Sequence, residues 1–402
     1  MAWTPARIDP VPLHTLRDRW DEVKGLRVFL RVDLNLPTGP DHQILCDYRI
    51  RRVVGLVGVL SRMGCRVIVA SHYGRPLGRP DPNLSLATFL DAFARQLEPQ
   101  VTFLPDCVGP EVRKAIDGSV PGSVFLLENL RFHPGEDAAD PEFAAQLAKL
   151  ADVYVNDAFS VSHRYHASTV LLPHLLPAYA GPAFANEYLR AVTLLQTIRP
   201  PVVMISGGLK LDKLAVYADL MSRVDHLLLG SGFASTLRGR PELLTGEFAS
   251  RTVLPVDLLV KSPDGGLNEV SWGDLKPDSA AIDIGPKTVA LFREKIRHAG
   301  TLLFNGSLGA LPFTDPYSSH HLIVDSFVAA RGIKVVCGGT GVSLFINSSE
   351  ARKVNYIFPG GGAILAFLND QSNPAIPLLV KSNWSAAYRV APSKQIGFSE
   401  GS

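Results

Sequence analysis

The sequence predicts an α/β protein of two domains, each a doubly wound, parallel, Rossmann-like sheet. Short Val/Ile/Leu-rich runs alternate with longer segments of helical period, which is the pattern of successive βαβ units. Within the runs the apolar residues are contiguous rather than alternating, as expected of strands covered on both faces. The chain has 402 residues, 46% apolar and 19% charged, enough to build two cores.

The elements follow in order. The first half carries the runs RVFLRVDLN, VIVASHYGRP, SVFLLENLRF and DVYVNDAF. Between them Val53–Met63, Leu84–Gln96 and Pro141–Leu150 have helical period, and Gly64 closes the first of these helices. The Pro/Gly-rich stretch LLPHLLPAYAGPAF then leads into a long helix, ANEYLRAVTLLQTI, which IRPP terminates. A boundary near residue 185 is therefore expected, with domains 1–185 and 186–374. The second half begins at Pro201 and carries VVMISGGLK, HLLLGSG, TLLFNGSLG, KVVCGG and YIFPGGG. The polar stretch from Ser262 to Pro277 reads as an excursion or small hairpin, and 375–402 as a tail that packs back on the first domain.

Composition excludes several classes of function. A formal charge of +2 gives no electrostatic reason to expect nucleic acid or a membrane surface as partner. Cys46, Cys65, Cys107 and Cys337 are scattered without a CxxC pair, which argues against a zinc site or disulfide framework and agrees with a reducing, cytoplasmic location. No secretory signal and no run of 18 apolar residues is visible. There is no GxxxxGK[ST], and no GxGxxG opens the first βα unit, so neither a P-loop enzyme nor a dinucleotide fold is expected.

The turns after the strands change character halfway along. In the first half they present Asp33 and Asn35, Arg49, His72 and Arg75, Arg131 and His133, Asn156 and Asp157, then His163, Arg164 and His166. Ligands of parallel sheets sit beyond the carboxyl ends of the strands, so these groups should converge. Several arginines there suit a small, multiply anionic molecule, with Asp33 and Asn35 taking its hydroxyls. In the second half the turns present glycine, which bares backbone N–H groups at helix starts and suits phosphates. Gly207, Gly208, Lys210 and Lys213 form one such turn, and Gly360, Gly361 and Gly362 another. Two ligands facing each other, one of them a phosphate, point to phosphoryl transfer.

At these residues the chain resembles the phosphoglycerate kinase family, from about Leu26 to Asp370. RVDLNLP, DYRIR, SHYGRP, LLENLRFHPGE, DVYVNDAF, HRYHAST, LPVD and DIGPKT stand in the family's order and at about its spacing. The resemblance implies two αβ domains joined by a hinge helix, transfer between ATP or ADP with Mg2+ and the carboxylate of 3-phosphoglycerate, and a monomer. It implies an acid pocket of Asp33, Asn35, Arg49, His72, Arg75, Arg131 and Arg164. Arg49, Lys210 and Gly361 would serve the transfer itself. Gly207, Gly208, Lys210, Lys213, Gly230, Asn305, Gly338, Gly339, Thr340, Gly360, Gly361 and Gly362 would face the nucleotide.

The departures fall on the nucleotide side. KLDK brings Lys213 one residue early, and NGSLGALP puts Pro312 where the family has a ribose-binding glutamate and Ser307 where it has proline. CGGTG puts Thr340 at the aspartate beside the metal–nucleotide, so the metal ligand is unknown, with Asp283 a substitute carboxylate to consider. Pro359 replaces the threonine before the last glycine turn. Two alternatives therefore stay open: a kinase of the same fold with a changed donor or acid, and a non-catalytic relative that binds phosphoglycerate.

Overall fold

A computed structural model describes residues 9–380, apart from 40–41, 99, 209–211, 263–265, 277–278, 280, 312–314, 316–317, 347–348 and 371–372. The first half supplies β1 (Arg27–Arg31), β2 (Arg66–Ala70), β3 (Val101–Leu104), β4 (Val124–Leu127), β5 (Val153–Asn156) and β6 (Ala178–Ala180). They form one parallel sheet in the order β3-β4-β2-β1-β5-β6. The second half supplies β7 (Val202–Ser206), β8 (His226–Leu229), β9 (Thr252–Val253), β10 (Asp257–Lys261), β11 (Leu267–Ser271), β12 (Ala281–Ile284), β13 (Thr301–Asn305), β14 (Ile333–Cys337) and β15 (Tyr356–Phe358). A second parallel sheet runs β15-β14-β13-β7-β8-β9.

The strand order reverses between β1 and β5 in the first sheet and between β7 and β13 in the second. Each reversal opens a crevice at the carboxyl ends of those strands, where crossovers depart in opposite directions. The central strands are buried along their length, as their uninterrupted apolar runs require: Val28, Phe29 and Leu30 of β1 pair with Val67, Ile68 and Val69 of β2.

The helix Pro182–Thr197 joins the two halves. Asp157, in the turn after β5, caps its start by accepting from the N–H groups of Ala183 (2.6 Å) and Phe184 (3.1 Å). Its inward face carries Phe184, Tyr188, Ala191, Val192, Leu194 and Leu195, all buried. Phe159 packs edge-on against Phe184 and Phe367, and Tyr188 against Phe367, with ring centroids 5.5–6.2 Å apart. One apolar cluster thus runs from the first half through this helix into the second. At the far end of the described chain, His14 N–H donates to the Leu379 carbonyl and Asn373 to the hydroxyl of Ser162, so Asn373 and Leu379 lie against the first half.

Several elements differ from expectation. The helix expected from Val53 begins at Tyr48, because Ile50, Val53, Val57 and Leu60 already form one buried face whose first turn, YRIRR, is masked by arginines. The helix expected over Leu84–Gln96 breaks into two 3-10 turns and a short helix, Leu90–Ala94; the Ser85 hydroxyl accepts from Ala87 N–H and so starts a new turn inside the apolar pattern. The sequence runs do not include the edge strands β3, β6 and β9, whose two to four residues leave almost no periodic signal, nor β10 and β12 of the small sheet. The excursion after Ser262 contains β11, which pairs antiparallel with β10, and β12 completes a small third sheet.

Candidate active site

The acid-side residues converge. Asp33, Asn35, Arg49, His72, Arg75, Arg131 and Arg164 all line one cleft of about 270 Å³. Its opposite wall is Gly339 and the run Pro359–Gly362, from the second half of the chain. The first set stands beyond the carboxyl ends of β1, β2, β4 and β5 and the second beyond β14 and β15, so the two sheets point their functional ends at each other.

Arg49 crosses this gap. It lies on the first turn of the helix Tyr48–Arg62, ion-pairs through Nη1 with Asp33, and donates from Nη2 to the Pro359 carbonyl at 2.9 Å. Ser160 also donates to Asp33. Burial pushes the Asp33 carboxyl up, but Arg49 and the Ser160 hydroxyl outweigh it, and the group is held below the usual range. Asn35 accepts from Gly74 N–H at 3.0 Å, while Arg131 donates to the Gly74 carbonyl at 2.9 Å and lies 3.1 Å from Asp137.

His72 is buried, and burial with the charges of Arg131, Arg31 and Arg49 drives its pKa well down, so it is neutral. Arg31 lies 3.4 Å from its Nδ1; because arginine can only donate, that nitrogen accepts and the proton sits on Nε2. His163 is held down to about 4 by burial and by Arg164 and Arg131, and His166 to about 3 by burial and by Arg131 and Arg31. The 3.2 Å contact of His166 with Asp137 is therefore one between neutral imidazole and carboxylate. Among the described residues of the pocket, the positive charge comes from guanidinium groups.

The glycine side divides into two groups. Gly339, Gly360, Gly361 and Gly362 face the cleft, the last three at the start of the helix Gly361–Asp370. Gly360 also lies against the first half: a Cβ there would stand 2.3 Å from Cα of Ser160. Gly207, Gly208, Gly230, Asn305 and Gly338 do not line this cleft. A Cβ on Gly207 would fall 1.6 Å from the Ser307 carbonyl oxygen, so the chain crossing at the β7/β13 crevice demands glycine on packing grounds. Asn305 is buried, donates to the Tyr217 hydroxyl at 3.1 Å, and has its Oδ1 beneath Gly338 and Gly361. Lys210 and Pro312 lie outside the described residues, and the side chains of Lys213 and Thr340 are not among those described; the backbone of Thr340 is in the first turn of the helix Gly339–Ile346. Asp283 is spent elsewhere: fully buried, it accepts from Ser319 N–H (3.0 Å) and hydroxyl (2.7 Å), which removes it as a substitute carboxylate.

Sequence reasoning missed Arg31 and Ser160. Arg31 is wholly buried at the end of β1, where it donates to Ser168 Oγ at 2.9 Å and to the Val32 carbonyl. Glu136, also fully buried, lies 4.0 Å away and accepts from the Ser168 hydroxyl and N–H. An arginine inside the run RVFLRV was the available signal: a charge at a core position needs a partner. Ser160 had no comparable signal.

Two parallel-sheet lobes that set a guanidinium-lined pocket against glycine-bared helix starts across one cleft define a phosphotransferase. A family model described as phosphoglycerate kinase matches residues 17–240 and 241–371. The chain belongs to the phosphoglycerate kinase family. It is 36% identical to the phosphoglycerate kinase of Zymomonas mobilis, over 91% of this chain and 99% of that one, and 34% identical to that of Geobacter metallireducens, over 90% and 97%. Among solved structures it is similar to phosphoglycerate kinase from Coxiella burnetii, at 26% identity and a TM-score of 0.66, covering 92% of this chain and 99% of that one. The fold is also that of the Pyrococcus horikoshii enzyme, at a TM-score of 0.75 and 24% identity over 91% and 98%. Among the described residues no helix is long and apolar enough to cross a membrane.

Proposed function

We propose that the protein moves a phosphoryl group between ATP or ADP and the carboxylate of 3-phosphoglycerate. The observation that carries this reading is the single cleft shared by seven acid-side residues and the turn Pro359–Gly362. Arg75, Arg131 and Arg164 hold the phosphate of the acid, Asp33 and Asn35 orient its hydroxyl end, and His72 donates from Nε2. Arg49, already spanning both walls, compensates charge on the equatorial oxygens of the group in flight. The N–H groups at Gly361 and Gly362 meet the same oxygens from the positive end of a helix. Lys210 supplies a further positive charge to the phosphoryl group being transferred. Closing the halves over this site excludes water from an acyl phosphate that would otherwise hydrolyse.

Magnesium prefers hard oxygen ligands in octahedral array. The one carboxylate among the described residues of the cleft is Asp33, which is bound to Arg49, and Asp283 is buried against Ser319. The described residues of the cleft therefore offer no free carboxylate for magnesium, and an ion bound there would take oxygens of the nucleotide phosphates and water among its ligands.

A coupled assay with 1,3-bisphosphoglycerate and ADP tests the reading: ordinary enzymatic turnover supports it. Turnover only with another nucleotide, pyrophosphate or another acid would assign a changed donor or acceptor. Tight binding of 3-phosphoglycerate by calorimetry without nucleotide binding at millimolar magnesium would make the protein a binder. Lys210→Ala should reduce turnover far more than acid affinity, and equal loss of both would remove Lys210 from the transfer step.

A further inference from the structure

We propose that Asp106, Cys107 and His133 form a binding site for a thiophilic divalent cation of the zinc class, outside the phosphoryl-transfer cleft. One ligand atom from each of the three lies within 4.8 Å of the other two. None of them lines the cleft. Asp106 and Cys107 stand just after β3, and His133 follows the turn after β4; these two strands are neighbours in the sheet, so residues 26 and 27 apart in sequence meet at its edge.

Each donor is held in place. The His133 ring stacks on Phe143, with centroids 4.8 Å apart and planes inclined by 23°. Its Nε2 lies 2.7 Å from Oδ1 of Asp106, and that same oxygen accepts from Cys107 N–H at 2.6 Å, which curls the Asp106–Cys107 turn around it. The Cys107 sulfur is fixed by donating to the Glu128 carbonyl at 2.9 Å. Cys107 is fully buried, while 52% of the Asp106 side chain and 29% of the His133 side chain are exposed, so an ion meets the carboxylate and imidazole first and reaches the sulfur only as their contact opens.

The donor chemistry selects the ion. One thiolate, one imidazole and one carboxylate suit zinc and its cobalt analogue, whereas magnesium asks for oxygen alone. Three protein ligands leave a fourth tetrahedral position for water. Donors around such an ion stand roughly 3.3–3.7 Å apart, so a separation of up to 4.8 Å must close by at most about 1.5 Å and the 2.7 Å His133–Asp106 contact must open by about 0.6–1 Å. Binding replaces that hydrogen bond and the S–H donation. The thiol proton leaves to solvent and the imidazole proton shifts to Nδ1, so the cation receives Sγ as thiolate, Nε2 as a lone pair and the carboxylate as it stands.

The test is a titration of the full-length, metal-stripped protein with Co2+, followed by absorption spectroscopy. The expected result is one cobalt per chain with a thiolate-to-metal charge-transfer band, displaced by Zn2+ and not by excess Mg2+. Cys107→Ser should abolish the band. Because that position is buried and its variant could fail to fold, His133→Ala and Asp106→Asn are tested beside it, and each should weaken cobalt binding about 10-fold or more. Absence of the band in the unaltered protein, or a band of undiminished affinity in the His133 and Asp106 variants, would overturn the assignment.

Discussion

Replacing Arg49 with alanine should cost turnover far more than acid affinity. The side chain is only 12% exposed and makes two charge-assisted contacts on opposite walls, to Asp33 and to the Pro359 carbonyl. It is therefore fixed before the phosphoryl group arrives, which is the condition under which one donor contributes most to a transition state. Removing such a group lowers kcat by about 10²–10³, or about 3–4 kcal/mol. A structural cost is added: Asp33, which Arg49 holds below the usual carboxylate range against the pull of burial, loses its main counter-charge and should rise. Arg49→Lys keeps the charge but not the fork that reaches both walls, so it should recover only part of the loss. The coupled assay gives kcat and KM, and calorimetry gives acid affinity separately. If Arg49→Ala retains kcat within about tenfold while acid binding collapses, Arg49 holds the acid and does not serve the transfer.

Three further outcomes follow from the geometry. Burial raises Asp157 to about 7, although Phe184 N–H, Arg52 and Ala183 N–H oppose the shift. Its folded pKa exceeds the unfolded value near 3.9, so its contribution to stability is full below about pH 4 and is lost as pH rises to 7. Urea denaturation of the unaltered protein against Asp157→Asn should show the difference falling by up to about 1.4 kcal/mol per pH unit between pH 5 and 7, then levelling above 8; a flat difference would contradict the assignment. Gly360→Ala puts a methyl into the backbone of Ser160, so it should cost about 1–3 kcal/mol and part the two walls, read as lower stability together with lower turnover. Arg31→Met leaves the buried Glu136 without its cation and should destabilise by about 3–5 kcal/mol, while Arg31→Met with Glu136→Gln should regain most of that in the same denaturation experiment.

The sequence disclosed the sheets through their central strands, because burial on both faces forces unbroken apolar runs such as VVMIS and VFLL. It disclosed that Asp33, Asn35, Arg49, His72, Arg75, Arg131 and Arg164 share one cleft, because charged side chains at successive strand ends have one place to go. It did not disclose the edge strands β3, β6 and β9, whose two to four residues carry no period, whereas the edge strand β15 is legible because a glycine turn follows its apolar run in YIFPGGG. The start of the helix Tyr48–Arg62 was obscured for a related reason: Arg49 and Arg52 on its first turns serve the cleft and the ion pair with Glu187, so function overrides the amphipathic pattern there. The glycine turns were the most ambiguous feature. Glycine at 207 answers to the carbonyl of Ser307, while glycine at 361 faces the cleft, and only three-dimensional packing separates the two uses.

The aromatic seam of Phe159, Phe184, Tyr188 and Phe367 has a thermodynamic consequence. Phe159 immediately precedes Ser160, which touches both Asp33 and Gly360, so the greasy contact and the polar one are anchored on adjacent residues. Melting either lobe strips that seam from the other. Scanning calorimetry should therefore record a single endotherm, and Phe159→Ala should split it into two.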